Sequence, residues 1–477
     1  MRKLSDMKEK MKTQQLVRAG LIFFVYSLVV GVAVQLYIVP RVFPHLDRGD
    51  GIVIMDSKGF NKIAKAKAEE IREQGWKAWE LRPENHLPSG IASFFYTLLV
   101  PKPYTLLPFN ALVHALSGCL VLWLLRQVFS WVPALAGSLL FIVNPAALQW
   151  VAQIHKDGVF ILGNLMVLVC VVQFWNGLQS SNPRTIGWGF VGGVAGTLLA
   201  WAARAYWVHE LFLFVLLASV CISLFYFHAR LARNGMIRSG FLVISGFFGI
   251  LFLQGWLIAF HSSGMIDLPP EAVPLQLPVA ESSPNNAKSS PNIADEGTAE
   301  VRLWIPTAWF PDFVEQKLYH LSVARRGAIS TGGNTVVDTD IPLNSAKAFV
   351  TYLPRALQLG LLSPLPELWR GKGSTPVMTM ARKVMGVTTV FFYFCLLGLL
   401  AGIISWRNNQ IFWLSCLFSF LGILVFTYTY PNVGTLLRFR YGFYMLLIAF
   451  GAANLLEMGL GWRRKRRALA SDPLALA

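Results

Sequence analysis

Charged residues, and acidic ones above all, are scarce in this sequence. Only 14% of its 477 residues are charged, whereas an average soluble domain has about 25%. The hydrophobic fraction is 55%, so the composition excludes an ordinary soluble enzyme and predicts an integral membrane protein. Lys and Arg outnumber Asp and Glu by 42 to 25, which gives a formal net charge of +17. The cations cluster at the ends of apolar segments, where anchoring to anionic lipid accounts for them, and nucleic-acid binding is not predicted.

Cysteines are also few. The sequence contains five, all within apolar segments. Neither an external disulfide framework nor a paired set of metal ligands is therefore predicted. No internal repeat with a fixed period is present. The five cysteines are Cys119, Cys170, Cys221, Cys395 and Cys416.

Ten apolar segments are long enough to cross the hydrocarbon core of a membrane, which takes about 17–25 helical residues. The sequence therefore predicts an all-α polytopic membrane protein with about ten transmembrane helices. We place these helices at Leu21–Tyr37, Leu106–Leu125, Val132–Leu148, Val159–Trp175, Ile186–Ala203, Leu211–Phe227, Phe241–Phe260, Val387–Ile404, Ile411–Tyr428 and Tyr441–Leu456.

The basic residues predict how these helices are oriented, because short cytoplasmic loops are rich in Lys and Arg. The N-terminal segment, every second connection and the C-terminal tail are basic. Ten helices with both termini in the cytoplasm satisfy all of these positions, and we expect a multi-pass protein of the bacterial inner membrane. The first helix lacks a convincing small-residue cleavage site and is predicted to be an uncleaved anchor.

Three regions are expected along the chain. Residues 1–260 form an N-terminal transmembrane module with a first external loop at 39–105, which has the apolar periodicity of interfacial helices. Residues 261–385 form a second external loop. It is expected to be flexible at 267–300, which has few large apolar residues, and then ordered as a small external cap. Residues 386–477 contain the last transmembrane helices and a basic cytoplasmic tail.

Unusual ionisable residues flank these helices, and with the predicted topology they all face the non-cytoplasmic side. A carboxylate, a lysine and several arginines gathered there have the chemistry of an acid–base and phosphate-binding site. The candidates at the helix ends are Asp56, Lys156, Asp157, Arg204, His209, Glu210, Arg438 and Arg440. Further candidates for contacting an acceptor or a carrier lipid, in the expected cap, are Arg325, Arg326, Tyr352 and Arg355.

Asp56 is the leading candidate for a general base, because a positioned carboxylate can accept the proton of an attacking hydroxyl group. A structural alternative stays open, since Asp56 or Ser57 would equally serve to cap the amphipathic helix that follows. Asp47 and Asp50 are rival bases, although clustered Gly and Asp residues are more typical of a turn.

The cations are candidates for binding a phosphate group. The planar guanidinium groups of Arg204, Arg438 and Arg440 suit phosphate oxygens, and interfacial anchoring is the alternative for each of them. Lys156 would neutralise the phosphate while Asp157 orients that lysine or an acceptor. A snorkelling Lys156 followed by a capping Asp157 is the alternative for this pair.

Several segments resemble, in order, those of the membrane-embedded GT-C glycosyltransferases, which include protein O-mannosyltransferases and the bacterial aminoarabinose transferase of lipid A. DSKGFNKIA at 56–64 is similar to the family's Asp-Glu-x-x-Tyr-x-x-x-Ala region, with Ser57 in place of Glu and Phe60 in place of Tyr. The resemblance covers most of residues 20–260 and 385–457. Further similar segments are PFNALVHALSGCLVLWLLRQVF, LLFIVNPAALQWVAQIHKDGVFIL, WAARAYWVHE and NVGTLLRFRYGFYMLLIAFGAANL.

The resemblance implies a GT-C-like helical bundle with a cavity at the outer leaflet and a general base in the first external loop. It also implies an inverting glycosyltransferase that moves a sugar from a polyprenyl phosphate, such as undecaprenyl phosphate, to an envelope glycan, lipid or protein. The lack of a nucleotide-binding glycine loop fits this lipid-linked donor. Some members bind a divalent metal, but the basic residues favour direct neutralisation of the phosphate, so neither a metal nor another cofactor is expected.

Two other functions stay open. An oligosaccharide polymerase or ligase would use a lipid diphosphate-linked donor at a similar site. A non-enzymatic polysaccharide transporter would be expected to carry charges or interrupted helices near the middle of the membrane. The charges of this sequence cluster at one face instead.

Overall fold

The computed structural model describes residues 2–230, 237–262, 304–307, 309–330, 332, 335–371 and 376–471. Within these ranges the chain is almost entirely helical, as expected. The predicted flexible stretch at 267–300 lies outside the described residues. In chain order the helices are α1 (Arg2–Val32), α2 (Met55–Gln74), α3 (Leu87–Leu98), α4 (Leu107–Arg126), α5 (Trp131–Val143), α6 (Leu148–Val151), α7 (Asp157–Ser180), α8 (Pro183–Ala203), α9 (Val208–Arg230), α10 (Ile237–Ser262), α11 (Asp312–Ser330), α12 (Ala346–Leu362), α13 (Pro366–Trp369), α14 (Pro376–Ser405), α15 (Gln410–Thr429), α16 (Val433–Phe439) and α17 (Tyr441–Ser471).

Nine helices in the described part of the chain are long and apolar enough to cross a membrane. A tenth span results if the segments 131–143 and 145–151 are counted together, although they bend by 47° at their junction. The prediction of one continuous third helix at Val132–Leu148 is therefore wrong. Pro145 has no amide hydrogen to donate, and the Asn144 side chain accepts a bond from the Ala146 amide, which begins a new turn.

The first of the long helices does not end where its α-helical part ends. Beyond α1 the chain continues as a π-helix over Ala33–Val42, with Pro40 inside it. Wider turns of this kind accommodate a residue that breaks the regular hydrogen-bond ladder. The extension brings Gln35 close to the loop that precedes α2.

Helix α7 lies at the centre of the bundle and packs closely on α8. A Cβ atom added to Gly163 would lie 2.7 Å from Gly196 O, and one added to Gly196 would lie 2.6 Å from Gly163 O. Small residues at both positions allow the two backbones to approach each other. This contact brings the end of α8, and with it Arg204, next to the beginning of α7, where Asp157 lies.

The segment between α1 and α4 contains α2 and α3, which pack against each other. Phe60, Ala64 and Ala68 of α2 recur at helical spacing and form a buried cluster with Tyr96 of α3. The Tyr96 hydroxyl also donates a hydrogen bond to Asn61 Oδ1 at 2.7 Å. The periodicity in the sequence therefore indicated the helix correctly. Its location at the membrane surface stays a prediction.

Helices α11 and α12 pack against α15 and hold the segment that leads into α16. An isolated β-bridge joins Val336 to Asn432. On either side of it, Val337 N donates to Pro431 O at 3.2 Å and Val433 N donates to Thr335 O at 3.0 Å. The position of α16, which carries Arg438, is thus tied to the loop that precedes α12.

Candidate functional site

Five ionisable side chains from four separate parts of the chain meet at one end of the bundle. They come from the first turn of α2, the beginning of α7, the end of α8 and the last turn of α16. All of them except the histidine were predicted as site residues. We call this group the acid–base cluster, and its members are Asp56, His155, Asp157, Arg204 and Arg438.

Asp157 is the buried centre of the acid–base cluster, and its side chain is 2% exposed. Arg204 Nη2 donates to Asp157 Oδ1. The other carboxylate oxygen, Oδ2, lies 3.2 Å from His155 Nδ1 and 3.4 Å from Arg438 Nε. Because a buried carboxylate is costly unless it is paired, the two guanidinium groups of Arg204 and Arg438 are what allows it to be there.

Asp56 forms the accessible side of the cluster. Its side chain is 52% exposed, and its Oδ2 atom lies 3.5 Å from Arg438 Nη1 and 4.0 Å from His155 Nε2. The two carboxylates thus face opposite nitrogens of the same imidazole ring and share one guanidinium group. Asp56 can meet a substrate, whereas Asp157 acts on the residues around it.

Arg204 lies between aromatic rings in the interior. Its guanidinium carbon is 3.6 Å from the centre of the Phe439 ring and 4.6 Å from that of Phe160. Cation–π contacts of this kind favour a desolvated guanidinium group. Arg204 therefore stabilises Asp157 from the interior of the bundle and is not exposed to a ligand.

Lys156 lies beside the cluster and makes no ion pair with the residues that the structure describes. Burial, followed by the positive charge of Arg204, lowers the pKa of its ammonium group, although the charge of Asp157 acts in the opposite direction. A half-buried cation that makes no ion pair with a carboxylate of the protein is suited to bind the anion of a ligand.

Hydrogen bonds to the backbone set the register of the loop that carries Asp56. The Gln153 side chain accepts from Val53 N and donates to Gly51 O, both at 2.9 Å. Gly51 has a φ of +74°, and a Cβ atom there would lie 2.0 Å from Gln35 O. Only glycine fits this close approach of two backbone segments.

Neither Asp56 nor Ser57 caps α2. The N-cap residue is Ile54, which makes no side-chain hydrogen bond to the helix. The buried Ser57 hydroxyl instead donates to Ile154 O at 2.9 Å and fastens α2 to the chain just before His155. The capping alternative for Asp56 is therefore wrong. Asp157, the first residue of α7, follows an N-cap residue, Lys156, that also makes no side-chain cap.

The two rival acidic residues have structural partners. Asp47 Oδ1 accepts hydrogen bonds from Gly49 N at 2.8 Å and Gly51 N at 3.0 Å, as in a turn. Asp50 lies 2.7 Å from Lys102 Nζ and 3.3 Å from Lys65 Nζ. Burial opposes its charged form, but the hydrogen bonds from these two lysines lower the pKa of Asp50. The turn assigned to this stretch is confirmed.

Arg440 does not join the cluster, although it was predicted to bind phosphate with Arg438. It is buried, and its guanidinium group donates to three carbonyl oxygens near the end of α12, those of Leu359, Gly360 and Ser363. Its guanidinium carbon also lies 4.2 Å from the centre of the Tyr444 ring. Leu359 O also accepts from Ser363 N at 3.2 Å, whereas Gly360 O and Ser363 O lie where the helical hydrogen bonds end, so Arg440 serves as a cap for α12.

The candidates from the expected cap are gathered around Asp338. Arg355 donates to both Asp338 carboxylate oxygens at 2.9 Å, and the Tyr352 hydroxyl donates to Oδ2 at 2.8 Å. Arg325 Nη2 donates to the Asp338 carbonyl oxygen at 3.1 Å. These residues hold the loop that positions α16. Arg326 is exposed on α11.

His209 and Glu210 lie in the first turns of α9, after the turn that contains Arg204. His209 Nδ1 lies 3.1 Å from Tyr206 O. Glu210 has a buried carboxylate oxygen, Oε2, without a hydrogen-bond partner among the described residues. The structure does not show an ion pair between Glu210 and the arginines of the cluster.

An apolar cavity of about 730 Å³ lies beside α16, the helix that also carries Arg438. Leu437 and Arg440 line it, whereas Arg438, between them in sequence, contacts Asp56 and Asp157. Its volume is within the usual range of ligand sites, about 300–1,000 Å³. Apolar residues of α14 and α17 form much of its wall, among them Val384, Phe392 and Met445.

His155 was not predicted as a site residue. Its only signal in the sequence is its position next to Lys156 and Asp157, because its contact with Asp56 joins residues 99 positions apart. Phe439 was missed for the same reason, since a phenylalanine in an apolar sequence does not indicate which cation it will contact. Within the described ranges, no group of three or more His, Cys, Asp or Glu side chains is arranged to hold a metal ion.

Comparison with protein-family models, curated proteins and solved structures gives no match for this chain. A functional argument must therefore rest on the geometry of the site and on the many apolar helices of a multi-pass membrane protein.

Proposed function

We propose that this protein is an inverting glycosyltransferase of the GT-C type, which moves a sugar from a polyprenyl phosphate to a hydroxyl group of an envelope glycan, lipid or protein. The observation that carries the proposal is the acid–base cluster, in which a half-exposed carboxylate lies beside several cations. The basic loops favour a reaction on the non-cytoplasmic face of the bacterial inner membrane.

The charge of the site fits a donor with one negative charge. Lys156, Arg204 and Arg438 contribute three positive charges, while Asp56 and Asp157 contribute two negative ones. Together these five groups leave one positive charge. A polyprenyl-phosphate sugar is a phosphodiester with a single negative charge, which would balance it. A diphosphate-linked donor would bring two, so the charge favours the monophosphate over the polymerase or ligase alternative.

In the proposed reaction the acceptor oxygen attacks the anomeric carbon from the side opposite the phosphate. The new bond between carbon and acceptor oxygen forms as the bond to the phosphate oxygen breaks, so the configuration inverts. Asp56 accepts the hydroxyl proton. Lys156 and Arg438 stabilise the negative charge that grows on the leaving phosphate. Asp157 is too deeply buried to touch the substrate and positions these groups.

The apolar cavity supports a lipid-linked donor. It shares α16 with the acid–base cluster, so one short helix contributes both to an apolar surface and to the cations. A polyprenyl chain in the cavity would bring its phosphate to the Arg438 side of α16. Burial of such a chain stabilises the complex by about 25 cal/mol for each Å² of apolar surface removed from water.

Transport is the remaining alternative. Charged residues that guide a substrate through a transporter are expected near the middle of the membrane, often beside interrupted helices. The cluster instead lies where helices begin and end, at one end of the bundle. The bend between α5 and α6 is the one broken span within the described residues, and a matching second break is not found there.

Turnover of a defined donor tests this proposal. Full-length protein in lipid nanodiscs is incubated with a panel of undecaprenyl-phosphate hexoses and an envelope extract that supplies acceptors. Mass spectrometry measures the undecaprenyl phosphate released. We expect release by the unmodified protein and a loss of at least about 100-fold in Asp56→Asn. Asp47→Asn is the matched control, because its amide oxygen can still accept the bonds of the turn.

Native mass spectrometry separates the alternatives. We expect the protein to retain undecaprenyl phosphate in preference to undecaprenyl diphosphate. Preferential retention of the diphosphate would support the polymerase or ligase instead. If no hexose donor is consumed, the glycosyltransferase proposal is overturned. If donors are consumed and Asp56→Asn turns over like the unmodified protein, Asp56 is not the base.

A further inference from the structure

We infer that His155 is a positioning residue for the general base: its Nε2–H group binds and orients the Asp56 carboxylate once the donor phosphate engages Arg438. This inference rests on the proposed function and adds a residue and an order of events to it. The observation behind it is that two groups, Arg438 and His155, lie within reach of the same Asp56 oxygen, at 3.5 Å and 4.0 Å.

The imidazole ring is buried, yet one of its nitrogens has no partner. The His155 side chain is 1% exposed, and its Nε2 atom makes no hydrogen bond with the described residues. Leaving a buried polar atom unpaired costs about 1–3 kcal/mol, so the free energy favours any arrangement that gives Nε2 a partner. Asp56 Oδ2 lies 4.0 Å from Nε2, just beyond the length of a hydrogen bond.

The other ring nitrogen indicates which tautomer is present. The backbone N–H of Asp157 donates to His155 Nδ1 at 3.3 Å. In a neutral imidazole, one nitrogen accepts and the other carries the proton. Nδ1 also lies 3.2 Å from Asp157 Oδ2, but that oxygen makes no hydrogen bond with the described residues. Nδ1 is therefore the acceptor of the amide bond, and Nε2 carries the proton and is a donor. Asp56, an acceptor, is the partner that this donor requires.

Arg438 keeps Asp56 from making that bond in the resting structure. Its guanidinium group lies between the two carboxylates, with Nη1 near Asp56 and Nε near Asp157. A phosphate group competes for the same guanidinium donors, because it suits their planar geometry. When the donor phosphate takes Nη1, Asp56 loses this partner. A shift of about 1 Å toward Nε2 then completes a hydrogen bond of about 2.9 Å.

This arrangement gives each carboxylate oxygen of Asp56 one task. Oδ2 accepts the bond from His155, and Oδ1 is left to accept the proton of the acceptor hydroxyl. As that proton moves to Asp56, the acceptor oxygen bonds to the anomeric carbon and the phosphate leaves with the electron pair of the broken bond. His155 retains its own proton throughout. The base is therefore oriented after the donor has bound.

Two substitutions of His155 test this role. In His155→Gln the side-chain amide can still donate a bond at the position of Nε2, whereas in His155→Phe an aromatic ring of similar size fills the space without a donor. We expect kcat for undecaprenyl-phosphate hexose turnover to fall about 100-fold in His155→Phe and less than 10-fold in His155→Gln. The affinity for undecaprenyl phosphate is expected to stay within 2-fold, about the limit of the measurement. His86→Phe is the control, because His86 packs on the same Phe60 ring but does not contact Asp56.

The outcomes separate the two proposals. If the unmodified protein consumes none of the donors, the glycosyltransferase proposal itself fails. If it turns over and His155→Phe retains full kcat, the positioning role is overturned while the function stands. Equal loss in His155→Gln and His155→Phe also overturns it, because that result assigns His155 to proton transfer, which an amide cannot perform. Thermal unfolding of both variants shows whether the fold is kept.

Discussion

The Asp56 and Asp157 carboxylates both contact Arg438, Asp56 from the accessible side of the cluster and Asp157 from the buried side. The Asp56 side chain is 52% exposed and the Asp157 side chain 2%. Two residues of the same type therefore have different tasks in one cluster. The exposed carboxylate can reach an acceptor, whereas the buried one determines where the cations lie. Replacing the buried one tests this division of labour.

Asp157→Asn is expected to destabilise the fold. The substitution leaves Arg204 buried without its carboxylate, and breaking a buried ion pair costs about 3–5 kcal/mol. Denaturation in mixed micelles measures the free energy of unfolding. Asp340→Asn, at an exposed position, is the control. An unchanged free energy of unfolding with lost turnover would contradict a positioning role and indicate that Asp157 takes part in the chemistry.

Lys156 is expected to make donor binding depend on pH. Because burial and Arg204 lower its pKa, its ammonium group loses its proton as pH rises, at a lower pH than the ordinary value of about 10.4. Affinity for undecaprenyl phosphate should therefore weaken as pH rises, at pH values below the ordinary pKa of a lysine. In Lys156→Arg it should stay constant, since arginine remains protonated. The same pH dependence in both proteins would exclude Lys156 as the titrating group.

Arg440→Met is expected to affect stability rather than donor binding. It leaves Gly360 O and Ser363 O without the donors that Arg440 provides, at a cost of about 2–4 kcal/mol. Native mass spectrometry should show that undecaprenyl phosphate is still retained. Arg407→Met, an exposed arginine in another connection, is the control. A folded variant of normal stability that no longer binds the lipid phosphate would restore Arg440 as a phosphate ligand.

Gly51→Ala is expected to lower turnover by displacing Asp56. The added Cβ would meet Gln35 O at 2.0 Å, and the positive φ is unfavourable for alanine. A displacement of about 1 Å at a catalytic group costs about 100-fold in rate. Gly59→Ala is the matched control on α2, because nothing lies within 4 Å of a Cβ atom there. Equal kcat values in these two variants would show that the register set by Gln153 is not needed.

Much of the helical arrangement could be predicted because apolar length alone specifies a membrane span. The gathering of Asp56, Asp157, Arg204 and Arg438 also followed from the sequence, since alternating helices bring every second connection to the same end of a bundle. Side-chain direction could not be predicted in this way. Arg440 follows Arg438 by two positions, yet its partners are carbonyl groups of α12, which only the packed structure brings there.

His155 shows a second limit of the sequence. The sequence shows a histidine near Asp157, but whether its ring meets a second carboxylate depends on two hydrogen bonds between distant segments. Gln153 accepts one from the loop before α2, and Ser57 of α2 donates the other to the chain just before His155. The bend at Pro145, by contrast, could have been expected from the proline itself. Local signals in the sequence therefore predict the helices and where they end. Which side chains become partners in the site depends on contacts between helices that are distant in sequence.

The ion pair between Asp56 and Arg438 joins residues 382 positions apart. During translation Asp56 is added early, whereas Arg438 is added close to the end of synthesis. A nascent chain that already spans the membrane many times thus lacks the cationic partner of Asp56. If the proposed function holds, premature termination before α16 leaves an inactive product, because the site is complete only when the last helices have been inserted.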